Sequence, residues 1–339
     1  MAHGIRRAAA AVSGTVVLAA ALITSVSTAG PAAAAMGSGS PYRQLGELRP
    51  HGGARLPATK ANASASEPQL TYHGGLVMKK MSTTYAIFWE PPTLSDGTTS
   101  TSVSPTYNSL IQRYLGDVGG SGFYENTTQY YQVVRGAKKR IANRSSLGGT
   151  LVDTNAYPGS DCTDLMTSGN CILDSDIQNE VRAAMTAKGW TGGYEHLFLV
   201  FTSDGEGSCM DATNASCAFT DYCAYHSGFL AGGVPVFYAI LPYTGTSEET
   251  CGVPFSPNND LAADSTINVL SHEHMESVTD PAGNAWYDRD GEEVADKCAW
   301  RYGKLPYADG KANVTMGGHP YLVQMEWSNK RAACVRTGP

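Results

Sequence analysis

Several chemistries are missing their marks in this 339-residue chain. There is no G-x-S-x-G turn, so the strained strand-to-helix nucleophile of an α/β-hydrolase is absent. No glycine-rich loop is followed by a lysine, which sets aside phosphate cradling of the P-loop kind. No two cysteines stand as C-x-x-C, so a zinc site of four thiolates is not expected. Charged residues are only 16% of the chain and the formal net charge is −7. An acidic surface is a poor partner for nucleic acid or an anionic membrane. No apolar run beyond the first 26 residues is long enough to cross a bilayer. No internal repeat is present. Paired carboxylates leave a glycosidase formally open, but nothing in the sequence sets the separation that chemistry requires.

What the chain does have begins with an export signal. Arg6 and Arg7 precede an almost wholly apolar or small stretch from Ala8 to Val26. Small residues then run to Ala35, where cleavage is expected. Residues 1–35 carry two positive charges and no negative ones, so the mature chain moves from −7 to about −9 (−7 − 2). The protein is therefore expected to be secreted, extracellular and monomeric. All eight cysteines lie in the exported part, and an even count in an oxidising compartment reads as disulfides. Cys162–Cys171 and Cys298–Cys334 are the natural pairs; Cys209, Cys217, Cys223 and Cys251 allow three arrangements.

Residues 36–66 are rich in Gly, Ser, Pro and Ala without apolar periodicity, and read as a disordered linker or short pro-segment. Residues 67–339 read as one catalytic-type domain. Thr84–Trp89, His196–Phe201, Val234–Leu241 and Tyr321–Trp327 have the composition of strands. Helical spacing marks Tyr107–Val118, Asp174–Lys188 and Leu261–Thr279, while 130–134 fits a strand or a helix end. The fold class expected is α+β: a central mixed sheet, a zincin-like active-site helix, and a loop-rich C-terminal part tied by disulfides.

The candidate site lies in that last helix, in His272-Glu-His-Met-Glu276. Positions four apart share a helical face, so His272 and Glu276 can address one ion. Glu273 stands where the HExxH metallopeptidases hold their general base. Asp296, 20 residues beyond Glu276 (296 − 276), is the first choice for third ligand, at an interval close to that of thermolysin-like enzymes. Glu293, Asp288 and Asp280 are the alternatives, in that order. The run 287–296 also fits a calcium loop or a solvated acidic turn. His226, after Cys223, is a candidate ligand or transition-state donor, and Tyr287 or Tyr302 a candidate oxyanion donor. His274 faces another side of the helix and is expected to be packed.

These residues carry a resemblance. Tyr72-His-Gly-Gly75, Tyr85-Ala-Ile-Phe-Trp89, Ser271-His-Glu-His-Met-Glu-Ser-Val-Thr-Asp-Pro281, Trp286-Tyr-Asp288, Glu293-Val-Ala-Asp296, Cys298 and Trp327-Ser-Asn329 resemble the microbial branch of the phosphate-induced/EXORDIUM-like secreted proteins, over about residues 70–336. The resemblance implies a zincin-type metallopeptidase: zinc on His272, Glu276 and an acid among Glu293 and Asp296, with Glu273 as base. The expected function is hydrolysis of a peptide or protein substrate through a metal-activated water. The alternative is a non-enzymatic cell-wall or signalling protein of EXORDIUM type. In that case the metal is absent or structural (Ca2+ being one choice), and exposed Trp286, Trp300 and Tyr302 bind glycan or peptide.

Overall fold

Thr84–Trp89 lies inside a six-stranded sheet, paired on both sides one place in from an edge, which suits its β-branched and aromatic side chains. The computed structural model describes residues 45–51, 67–159 and 161–339. The expected signal segment, and all of 36–66 except 45–51, lie outside the described residues. In chain order the main elements are β1 (Leu45–Leu48), β2 (Ser82–Trp89), α1 (Tyr107–Asp117), β3 (Ser145–Asp153), α2 (Asp174–Lys188), β4 (His196–Phe201), β5 (Ala224–Ala231), β6 (Val234–Leu241) and α3 (Leu261–Thr279). The sheet order is β1-β5-β6-β4-β2-β3. Strands β6, β4, β2 and β3 are mutually parallel, and β5 runs against both its neighbours. The α+β class with a central mixed sheet is therefore as expected.

Local chemistry accounts for the joints. β5 and β6 form a hairpin through Gly232 and Gly233, both at positive φ, which a two-residue hairpin loop demands. α2 ends where Gly189 takes the left-handed conformation (φ 68°). Asp260 caps α3 by accepting from the Ala263 amide, and also accepts from Thr106 at the head of α1. One carboxylate thus starts one helix and ties it to another.

α3 is the organising element. Every residue from Ala262 to Thr279 is buried, because the helix is wrapped by the sheet through β5 and β6, by α1, and by the chain that follows it. A helix enclosed on all sides is normally apolar; this one carries Ser, His, Glu and Thr inward, which needs a functional or hydrogen-bonding reason.

Some expectations are corrected. Tyr321–Trp327 is not one strand: His319–Tyr321 and Glu326–Ser328 pair with different partners, and 322–325 passes between them. Residues 131–134 form a hairpin with 137–140. β3 and β5 had no strand signal, since their Gly, Ser and His content breaks the apolar pattern. Within the stretch expected to be linker or pro-segment, residues 45–48 form an edge strand, with Leu48 fully buried.

The cysteines pair as 162–171, 209–217, 223–251 and 298–334. The 223–251 bridge anchors the start of β5 to the segment that leads into α3. The 298–334 bridge ties the turn after Asp296 to the C-terminal hairpin.

Candidate metal centre

The inward face of α3 meets two other segments. His226 comes from β5, three residues after the Cys223 bridge. Val294 to Cys298 comes from the chain beyond the helix, ending in a 3-10 turn over Asp296–Cys298. The Ala295 and Asp296 amides donate to Glu276 Oε1 at 3.3 and 3.0 Å, and the Glu293 amide donates to Asp296 Oδ2 at 3.0 Å. These backbone bonds hold the acidic loop against the helix.

The result is a buried cluster of imidazoles and carboxylates. His272 Nε2 lies 3.2 Å from Glu276 Oε1 and 3.4 Å from Asp296 Oδ1. Ligands about 2.0–2.2 Å from a tetrahedral ion stand about 3.3 Å apart, so these spacings suit one cation. His226 Nδ1 lies 3.2 Å from Glu273 Oε2 and 3.7 Å from Glu276 Oε2, and its Nε2 is 3.6 Å from Glu293 Oε2. Two triads, His272/Glu276/Asp296 and His226/Glu276/Glu293, each bring their ligand atoms within 4.8 Å of one another. His226, His272, Glu273 and Glu276 are at most 1% exposed, and the Asp296 side chain 18%.

The electrostatics are strained without positive charge. Burial pushes Glu276 up to about 7, helped by the nearby Asp296. Burial likewise drives Glu273 and Glu293 well above the ordinary carboxylate range, although the charge of His272 pulls Glu273 back. His226 is pushed down to about 3 by burial and by His272. Burial also disfavours charge on His272, but Glu276, Asp296 and Glu273 outweigh it and hold the imidazole well above 6.5. Among the described residues, no hydrogen bond reaches Glu273 Oε1 or Glu276 Oε2, and the Glu293 oxygens meet only the neighbouring Asp280 carboxyl. Buried carboxylates with open lone pairs are what a cation would satisfy.

The alternatives for third ligand sort on chemistry. Asp280 is committed to the turn that ends α3, accepting from the amides of Asn284, Ala285 and Trp286. Asp288 accepts from the Asp290 and Glu292 amides and pairs with Lys297 Nζ at 2.7 Å. Where a calcium loop would place its ion, this turn places an ammonium group. Asp296 and Glu293 are the acids that enter the cluster, one in each triad.

Four aromatic residues sit elsewhere than expected. Tyr287 stacks on the His73 ring, centroids 3.6 Å apart, and pairs with Thr71; its hydroxyl has no hydrogen bond to the cluster among the described residues. Trp286 and Tyr302 are buried: the Trp286 indole donates to the Tyr131 carbonyl and packs among Tyr72, Tyr130 and Tyr131. Trp300 is half-buried, edge-on to His51, and donates to the Arg49 carbonyl. His274 is packed as expected, near Ser82, Ser145 and Tyr124. Burial pushes it down to about 4.

Sequence reasoning missed the cover. β1 pairs with β5 beside His226, and the Leu48 amide hydrogen-bonds Glu273. The two leucines of β1, Leu45 and Leu48, stand three apart inside a Gly- and Pro-rich stretch, so no period-two pattern marked it as a strand. Beside Asp296, a cleft of about 320 Å³ opens on the outer side, lined by Glu67, Asp288, Asp290, Glu292, Lys297 and Arg301 among others.

The Asp288–Lys297 pair supports the site from below, with side chains 1% and 3% exposed and Lys297 over the Trp327 ring. Asp288→Ala strands a buried ammonium, and the expected cost is about 3–5 kcal/mol. The denaturation midpoint should fall accordingly. A double variant, Asp288→Leu with Lys297→Met, should recover most of the loss. A single variant as stable as the parent would mean that the ammonium finds water.

Comparison with known proteins gives a family and no activity. The family model described as "Phosphate-induced protein 1 conserved region" matches residues 70–336. The chain is 24% identical over 319 residues to "Protein EXORDIUM-like 3" of Arabidopsis thaliana, covering 83% of this chain and 86% of that one. It is 28% identical over 175 residues to "Protein EXORDIUM-like 5" of the same plant, covering 42% of this chain and 46% of that one. No solved structure matches. No described helix is long and apolar enough to cross a membrane.

Proposed function

Because the chain belongs to the family defined by the phosphate-induced protein 1 conserved region, whose relatives' names state no chemistry, we propose its function from the buried cluster: a secreted, monomeric, zinc-dependent hydrolase of peptide bonds. The observation that carries this reading is the approach of His272, Glu276 and Asp296 to one another beside Glu273, with buried ligand atoms left unsatisfied. One imidazole with two carboxylates suits zinc better than calcium, which prefers oxygen alone.

When bound, a divalent cation there lowers the pKa of a water and polarises a carbonyl. The chain's own residues supply the rest. Glu273 Oε2 is held by His226 Nδ1 and by the Leu48 amide end of β1, which leaves Oε1 to take a proton. Two carboxylates on the ion leave it less positive than two imidazoles would. A modest rate or an alkaline optimum follows.

A second reading rests on the closure of the site. β1 covers Glu273, and the imidazoles and glutamates are sealed. This suits a non-enzymatic secreted protein of EXORDIUM type, at the cell wall or in signalling, with a structural ion. Under the peptidase reading the same strand belongs to a pro-segment that must leave before a substrate enters.

Elemental mass spectrometry on protein secreted and purified without chelator is the test, paired with cleavage of a mixed peptide pool. Zinc at one or more equivalents per chain, lowered in His272→Ala, with cleavage that chelator stops, supports the hydrolase. Calcium or no metal, and an intact pool, sinks it in favour of the second reading.

A further inference from the structure

We propose that the cluster is built for two divalent cations, the second held by His226, Glu293 and the Glu276 oxygen turned away from His272. The proposal extends the cation-binding reading above and rests on it for the first ion.

Glu276 is the hinge of the argument. Its Oε1 faces His272 and accepts the two loop amides, whereas Oε2 faces His226 and meets no donor. A carboxylate offering one oxygen to each of two triads has the arrangement of a bridging ligand. His226 is oriented for the second. Its Nδ1 is taken by Glu273 Oε2, so Nε2 is the free ligand atom, turned toward Glu293 Oε2 at 3.6 Å and without a hydrogen bond among the described residues. A liganding imidazole typically donates its other N–H to a carboxylate in this way.

Charge points the same way. Glu276, Glu293 and Asp296 belong to the two triads and Glu273 lies beside them, with Asp280 and Glu326 buried next to the cluster, while the Lys297 ammonium is engaged by Asp288. One dication leaves most of these carboxylates uncompensated in a buried setting, where an unpaired charge is costly. Two dications offset more of this buried charge than one. The Glu293 oxygens meet no donor besides the neighbouring Asp280 carboxyl, and a single ion on the first triad leaves these two acids side by side without a cation. Imidazole with carboxylates selects first-row divalent ions such as zinc over magnesium.

The test is equilibrium dialysis of chelated, re-purified full-length secreted protein against buffered zinc, with metal counted per chain. Two equivalents are expected for the parent and one each for Glu293→Gln and His272→Ala. Glu293→Gln removes charge at nearly constant shape, and a circular dichroism melt checks that it folds. X-ray absorption at the zinc edge should show a metal–metal shell near ~3.5–4 Å in the parent, absent in Glu293→Gln. One equivalent in the parent, unchanged by Glu293→Gln but lost in His272→Ala, overturns the second site and leaves the first standing. No bound zinc overturns both.

Discussion

Glu273→Gln is expected to keep its metal and to lose peptide hydrolysis by about a hundredfold to ten-thousandfold, the usual contribution of a positioned base. The substitution preserves shape. The amide oxygen can still accept from the Leu48 N–H that now reaches the carboxylate, and Glu273 belongs to neither triad. What is lost is the capacity of Oε1 to take a proton. Initial rates on the peptide pool, with metal counted on the same sample, separate the outcomes. Full metal with undiminished turnover would place the base elsewhere. Loss of metal would make Glu273 a positioning residue for His226, acting through the 3.2 Å bond to Nδ1. A non-enzymatic protein would show a change in stability and nothing else.

Chelation is expected to lower the melting temperature by about 10 °C and to reverse how stability depends on pH. An ion free at a thousand times its dissociation constant contributes about 4 kcal/mol to the folded state, which is roughly 10 °C for a chain somewhat smaller than this one. The sign of the pH effect follows from burial. Glu276 is raised from 4.5 to about 7 in the folded chain. Between those values the folded protein holds a proton that the unfolded chain has released. That stability is fully present below about 4.5 and lost as pH rises through 7, on the order of 3 kcal/mol for this one group. Glu273 and Glu293 are shifted in the same direction. The loaded protein behaves oppositely, because its ligands must be deprotonated and cation affinity grows with pH. Calorimetry from pH 5 to 8, with and without chelator, should give slopes of opposite sign. Parallel slopes would mean that these carboxylates share no ion.

Much of this was legible in the sequence because periodicity and ligand spacing are local. The three long helices, β2, β4 and β6 followed from apolar spacing and from stops such as Gly189. His272 and Glu276 were picked out by the four-residue repeat of a helix and Asp296 by its distance along the chain, with Glu293 as the first alternative in the same acidic run. What failed was long-range. β5 reads as polar and Gly-containing, Ala224-Tyr-His-Ser-Gly228, because it packs against a helix that itself turns His and Glu inward. Its side chains answer to that partner more than to a hydrophobic core. Tyr287 and Trp286 were misplaced for a related reason: an aromatic in a loop-rich stretch looks available until the loop closes over it. Here it closes on Tyr72, His73 and Tyr131.

The edge strand β1 has a consequence for how the chain is assembled. Its partner lies far along the sequence, Leu45 against His226, a gap of 181 residues (226 − 45). The first strand among the described residues therefore docks only after β5 and β6 exist, so its pairing closes late and slowly. Until then β5 displays a row of unpaired amides and carbonyls, a template on which another copy's strand can add. Deleting residues 36–51 should therefore yield a chain that secretes with more aggregate, whatever happens at the metal centre. The same few residues that shield a buried glutamate also keep one molecule's sheet from continuing into the next.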